Sequence, residues 1–249
     1  MQTYGITDKG KVRKDNQDYY SIIRCKSKSC YIVALCDGMG GESGGEIASE
    51  LSNNMFTTYV NSKLTSRVNK NPDVKKVLID ACYDANKMAY DYSLFDPSLN
   101  GMGTTIVGGV VSDIGVCRLV NVGDSRAYHL SFMKESIYQI TRDHSLVENL
   151  IESGVLSKDQ AKNHPQKNII TRAIGSEETV EPDYFETVLN EGDMLLLCSD
   201  GLSNFVSEEE MLQEFIINSN PESFCKNMLE LTFERGAYDN VTLIAVVNR

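Results

Sequence analysis

Apolar residues run almost without a break through Tyr31–Cys36, Met194–Cys198 and Val241–Val247. Shorter apolar or alternating stretches lie at Tyr19–Ile23, Thr104–Val111, Val116–Val122, Ala127–Leu130, Ile137–Ile140 and Phe185–Leu189. Each of these reads as a strand. Helical spacing covers Gly45–Lys63, Val74–Asp91, Leu146–Glu152, Lys158–Asn163, Glu208–Asn218 and Glu222–Arg235, and Ser207 with Glu210 is placed for a capping box. Two long helices separate the early strands from a run of four strands with short connections, and two more helices precede the last strand. Strands joined by short turns imply antiparallel sheets rather than alternating parallel βαβ units. The expected class is α+β, with two antiparallel sheets packed together and helices on the outer faces. Between Asp143 and Ser176 the pattern weakens, which predicts a flap of about residues 143–176 running over the surface. No linker or fixed-period repeat interrupts residues 1–249, which are read as a single domain.

Two of the apolar runs end alike. Tyr31–Cys36 leads into Asp37-Gly38, and Met194–Cys198, after Ser199, leads into Asp200-Gly201. Either Asp-Gly alone is an ordinary turn signal. Together with Asp18, Asp124 and Asp239, all at expected strand ends or turns, they make an oxygen-only donor set of the kind Mg²⁺ or Mn²⁺ requires.

Charge and composition narrow the function. A formal net charge of −11 argues against nucleic acid and against an anionic membrane surface. No apolar stretch approaches the roughly 18 residues of a membrane span, and Met1–Gly5 lacks the start of a signal peptide. A cytoplasmic protein is expected. The seven cysteines are odd in number and include no Cys-x-x-Cys; several lie in strand patterns, which predicts buried free thiols. None has an arginine six positions later, so a cysteine-based phosphatase loop is excluded.

Other phosphate-handling motifs fail as well. Asp37-Gly38-Met39-Gly40-Gly41 departs from the dinucleotide fingerprint at Ser43 and lacks the Gly-Lys-Ser/Thr of a P-loop. Its glycines instead allow the backbone close to an ion, leaving the Gly38 carbonyl as a possible ligand. Arg13, in Arg13-Lys14-Asp15-Asn16-Gln17-Asp18, is of the type that forks onto a phosphate, which lysine cannot imitate.

Taken in order, Arg-x-x-Asn-Gln-Asp, Asp-Gly-Met-Gly-Gly, Gly103-Thr104-Thr105, Gly123-Asp124-Ser125-Arg126, Ser-Asp-Gly-Leu and Asp239-Asn240-Val241-Thr242 resemble the metal-dependent serine/threonine protein phosphatases, type 2C, in their compact bacterial form. Thr141–Leu146 and His164 through Gly175 also look like the bacterial members. The resemblance spans Asp8 to Val247. It implies a four-layer α/β/β/α sandwich around two Mn²⁺ or Mg²⁺ ions, with a third, weaker ion in bacterial relatives. Asp37 would bridge the pair, with the Gly38 carbonyl on one ion and Asp200 and Asp239 on the other. Asp124, with Asp200, would hold the third metal, and Asp18 would act through metal-held water. Arg13, Asp18 and Asp37 form the implied catalytic set, Arg13 holding the substrate phosphate. The implied reaction is in-line attack of a metal-activated water on phosphoserine or phosphothreonine of proteins, reversing a serine/threonine kinase. A monomer is expected.

Two positions depart from the family pattern. Gln17 stands where many relatives carry glutamate, and Met39 where many eukaryotic relatives carry a histidine proposed as the general acid. His144, at the start of the flap, is the nearest replacement by motif, although a histidine there more commonly makes a structural hydrogen bond. Two rival functions share the motifs. A binding module without turnover would be favoured by loss of Asp37, Asp200 or Asp239, and all three are present; a phosphatase for small phosphoesters would be separated by comparing kcat/KM.

Overall fold

The computed structural model describes residues 1–68, 71–157, 160–161 and 164–249, and the side chains of these except at 42 and 43. Among them the strands are β1 (Gln2–Asp8), β2 (Asp18–Cys25), β3 (Cys30–Met39), β4 (Gly103–Thr104), β5 (Ile106–Ser112), β6 (Val116–Val122), β7 (Arg126–Ser131), β8 (Ser136–Gln139), β9 (Asp183–Val188), β10 (Met194–Cys198) and β11 (Val241–Val247). The helices are α1 (Gly41–Leu64), α2 (Val74–Phe95), α3 (Leu146–Glu152), α4 (Asp200–Ser203), α5 (Glu208–Ile217) and α6 (Pro221–Glu234). The helix expected at Lys158–Asn163 falls mostly outside the described residues.

One sheet has the order β1-β11-β10-β7-β8 and the other β2-β3-β5-β6-β9, with β4 added beside the end of β3. The registered pairs are antiparallel, as the short turns require. Alternation within the apolar runs builds the layers. Ile32, Ala34 and Cys36 of β3 face α1 and α2, where Phe56, Leu78 and Ala81 meet them. Val33 and Leu35 point the other way, into Leu195, Leu197, Ile244 and Val246 of the second sheet. On the far side of that sheet, Leu196, Leu243 and Ala245 pack on Phe215 of α5 and Phe224 of α6. Both faces of the central strands are therefore buried, and each large side chain so covered contributes about 1.5–3 kcal/mol. The result is the α/β/β/α sandwich. Ser207 and Glu210 form the expected capping box at the start of α5.

Three differences from the sequence expectation have local causes. β1 is an edge strand in which only Tyr4 and Ile6 reach the core, too few apolar positions to signal a strand. The single strand expected over Thr104–Val111 breaks at Thr105. That residue bonds Asp37 with both its N–H and its hydroxyl, so β4 continues along β3 past the point where β5 leaves it. Helix α1 begins at Gly41, four residues early, because the chain turns into it directly from β3. There Gly38 and Gly45 lie against each other: a Cβ on Gly38 would come within 2.1 Å of the Gly45 carbonyl oxygen. All seven cysteines are buried and free.

Candidate active site

The predicted carboxylates gather at one end of the sandwich, though not quite as strand termini. β3 does not stop at Asp37 but continues through Gly38 to Met39. Asp200 does not end β10; after Ser199 it opens the short helix α4. Asp18 is the first residue of β2 and pairs directly with Asp37. Asp124 lies in the turn between β6 and β7, and Asp239 precedes β11. Cys198 pairs with Arg126 on one side and Leu243 on the other, so the chain segments carrying Asp124, Asp200 and Asp239 emerge side by side.

Asp18 ties the two sheets together at this end. Its Oδ2 accepts hydrogen bonds from the Ser199 hydroxyl at 2.9 Å and the Thr242 hydroxyl at 2.6 Å, whereas its Oδ1 is buried with no protein partner. Burial pushes the Asp18 carboxyl up to about 7 despite the two hydroxyls, and Asp200 and Asp239 add to the rise. Asp37 is raised well above the ordinary carboxylate range, first by burial and then by repulsion from Asp18, Asp200, Asp124 and Asp239. Asp124 is pushed up to about 7 by burial and by Asp200, and Asp200 to about 6 by burial and by Asp239. These acids thus share one low-dielectric neighbourhood and repel one another. Among the described residues no three His, Cys, Asp or Glu side chains already close on one point. The donor set nevertheless fits a hard divalent cation: every candidate ligand is oxygen, the charge is strongly negative, and Asp18 Oδ1 has no protein donor.

Arg13 reaches into the same group, donating to Asp239 Oδ2 at 2.8 Å while its own side chain stays 55% exposed. The hydrogen bond and charge of Asp239 raise its guanidinium further. The loop that carries it is fastened by Asn240. Asn240 Nδ2 donates to the Lys9 and Asp15 carbonyls, each at 2.9 Å, and Asn240 Oδ1 accepts from Gln17 N–H at 2.8 Å. Gln17 donates from Nε2 to the Gly41 carbonyl at 3.1 Å, joining this loop to the start of α1. Ser199, Asn240 and Thr242 fall inside the sequence motifs without a role that the motifs reveal; hydroxyl and amide side chains beside acidic residues are the available signal.

Asp143, where the expected flap would start, is tied beside the site. Arg126 donates to both carboxylate oxygens of Asp143, at 3.0 Å from Nε and 2.7 Å from Nη2, and Arg126 also contributes an opposing charge to Asp124 and Asp200. Both ring nitrogens of His144 are engaged. Its side chain is buried, its Nδ1 accepts from Gly123 N–H at 3.2 Å, its Nε2 lies 3.3 Å from Asp183, and burial lowers its basicity. The structural role is the one it plays. Met102, between two glycines, packs in the core. A cavity of about 500 Å³ beside Cys30, Val74, Arg118 and Tyr184 includes none of the site carboxylates.

Comparison with known proteins gives the same picture. A family model described as Protein phosphatase 2C matches residues 11–226. The serine/threonine phosphatase stp of Listeria innocua serovar 6a is 38% identical over 242 residues, covering 96% of this chain and 93% of that protein. The crystal structure of serine/threonine phosphatase Stp1 from Staphylococcus aureus superposes with a TM-score of 0.88 at 32% identity, covering 98% of this chain and 94% of that one. The catalytic domain of the phosphatase PstP, solved in complex with 2 manganese ions, gives a TM-score of 0.81 at 31% identity over 98% of this chain and 96% of that one.

Proposed function

Because the chain belongs to the protein phosphatase 2C family, we propose that it hydrolyses phosphoserine and phosphothreonine in proteins with the help of divalent cations. The observation that carries this reading is the buried, mutually repelling group of Asp18, Asp37, Asp124 and Asp200, with Asp239 and the partly exposed Arg13 beside it.

Asp37, Asp200, Asp239 and the Gly38 carbonyl would hold two Mn²⁺ or Mg²⁺ ions, and Asp124 with Asp200 a third, weaker one. When bound, such ions lower the pKa of water toward neutrality and offset the charge of the phosphate. The residues supply the rest. Asp18 has one oxygen saturated by Ser199 and Thr242 and the other free to orient water. Arg13 has guanidinium nitrogens beyond the one on Asp239 with which to fork onto phosphate oxygens. Met39 cannot donate a proton and His144 is withdrawn into the flap anchor, so the departing serine or threonine oxygen takes its proton from water.

The same reading extends to the setting of the enzyme. Its substrates would be proteins phosphorylated by a serine/threonine kinase, and residues 1–249 would act as one domain and as a monomer, with residues 143–176 as the flap. Seven buried free thiols support a reducing, cytoplasmic location. No helix among the described residues is long and apolar enough to cross a membrane.

The test is phosphate release from a phosphothreonine peptide with Mn²⁺, after EDTA, and after Mn²⁺ is restored. Release that stops and returns is expected; none from folded, Mn²⁺-supplied protein refutes the reading.

A further inference from the structure

The loop that carries Arg13 is basic in an otherwise acidic molecule. Within Asp8–Asp15 stand Lys9, Lys11, Arg13 and Lys14 against Asp8 and Asp15, in a chain of net charge −11. All four cationic residues are exposed. Arg13 is committed to Asp239, but among the described residues Lys9, Lys11 and Lys14 have no ion-pair partner, unlike Lys76, Lys87 and Lys226, which are paired on their own helices. Lys11 lies over the Phe233 ring of α6 at 5.6 Å.

The loop is also held in place. Asn240 clamps it at Lys9 and Asp15, Lys11 N–H donates to the Ala237 carbonyl at 2.8 Å, and the Asp8 carboxylate accepts from Gly10 N–H at 2.9 Å. Gly10, at φ +75°, lies so close that a Cβ would fall within 2.2 Å of the Asp239 carbonyl oxygen. The backbone that carries the cations is therefore already ordered beside Asp239, so meeting a ligand requires no ordering of the loop itself. Charges act over a Debye length of about 8 Å at physiological salt, so the cations of this loop act on a chain passing next to the phosphate.

Building on the phosphatase reading, we propose that the loop at residues 9–14 is a substrate-recognition surface that selects phosphoproteins with acidic residues flanking the phosphorylated serine or threonine. Arg13 takes the phosphate while Lys9 and Lys14 face flanking carboxylates, and Lys11, over Phe233, adds its charge from beside them.

The test compares two phosphothreonine peptides, identical except that the flanking positions are Asp/Glu in one and Lys/Arg in the other, by kcat/KM with Mn²⁺. Wild-type protein is expected to favour the acidic peptide by about fivefold or more, as several exposed ion pairs acting together allow. The preference should shrink toward unity in 0.5 M NaCl and reverse in the triple variant Lys9→Glu, Lys11→Glu, Lys14→Glu. Equal kcat/KM on the two peptides, or a preference kept by the triple variant, overturns the proposal and leaves the phosphatase reading standing. No Mn²⁺-dependent release from either peptide overturns both.

Discussion

Asp18 and Asp37 stand directly opposite each other as the first registered pair of the β2–β3 ladder. Like charges so placed are destabilising by up to about 1 kcal/mol, and more when buried. Nothing in the packing of this end needs both to be ionised; their chemistry does. Replacing Asp37 by Asn should raise the unfolding temperature in EDTA by roughly 2–4 °C for a chain of this size while abolishing Mn²⁺-dependent phosphate release. Thermal unfolding with and without Mn²⁺ checks both halves, and a loss of stability in EDTA would contradict the repulsion read from the structure.

Without metal, the raised acids make stability depend on pH in an unusual direction. The folded carboxyls sit at about 7 for Asp18 and Asp124 and about 6 for Asp200, against 3.8 for an unperturbed aspartate. Between these limits the folded chain holds more protons than the unfolded one, so its stability falls as pH rises. In EDTA the unfolding temperature should decline from pH 5 to pH 7.5, and the increase caused by Mn²⁺ should be larger at pH 7.5. A metal-free unfolding temperature that climbs over this range would count against the shared burial of these groups.

Arg13→Ala should act mainly on KM. A hydrogen bond to a charged group contributes about 1.5–3 kcal/mol, so kcat/KM for a phosphopeptide should fall by about tenfold or more. Arg13→Lys should recover only part, because an ammonium cannot fork. Steady-state kinetics that leave KM unchanged in the alanine variant would remove Arg13 from phosphate binding.

Asp124 lies in a turn apart from the Asp18–Asp37 pair, and so it can be removed without disturbing the β2–β3 ladder. Asp124→Ala should lower turnover while titration calorimetry still detects two tight Mn²⁺ sites. Loss of both tight sites would show that Asp124 supports the central pair instead.

Much of this site could be read from the chain because its acids are adjacent to glycines and apolar runs, a pattern set by local backbone demands. Asp37 and Asp200 announce themselves in that way, and so does the four-layer arrangement, since β3, β10 and β11 are buried on both faces. Other features depend on pairings between distant residues. β1 is held by β11 with little apolar pattern of its own. The Thr105 break exists because Asp37 bonds it from another strand. The role of Asn240 becomes visible only when residues 9, 15 and 17 are brought round to it. The partners of His144, Gly123 and Asp183, likewise come from distant parts of the chain, so its motif position predicts a structural hydrogen bond without showing to what.

The pairing of β1 with β11 joins Gln2 to Val247 and Asp8 to Val241. Such contacts span nearly the whole sequence, and closing them is slow compared with forming a local hairpin such as β2–β3. Asp18 and Asp37 are brought together by that local hairpin, whereas the clamp of Asn240 on the Arg13 loop needs the two ends of the chain to come together. Completion of the acidic site is thus tied to closure of the whole chain: without β11 paired to β1, nothing holds Asp239 and the Asn240 clamp beside the Arg13 loop.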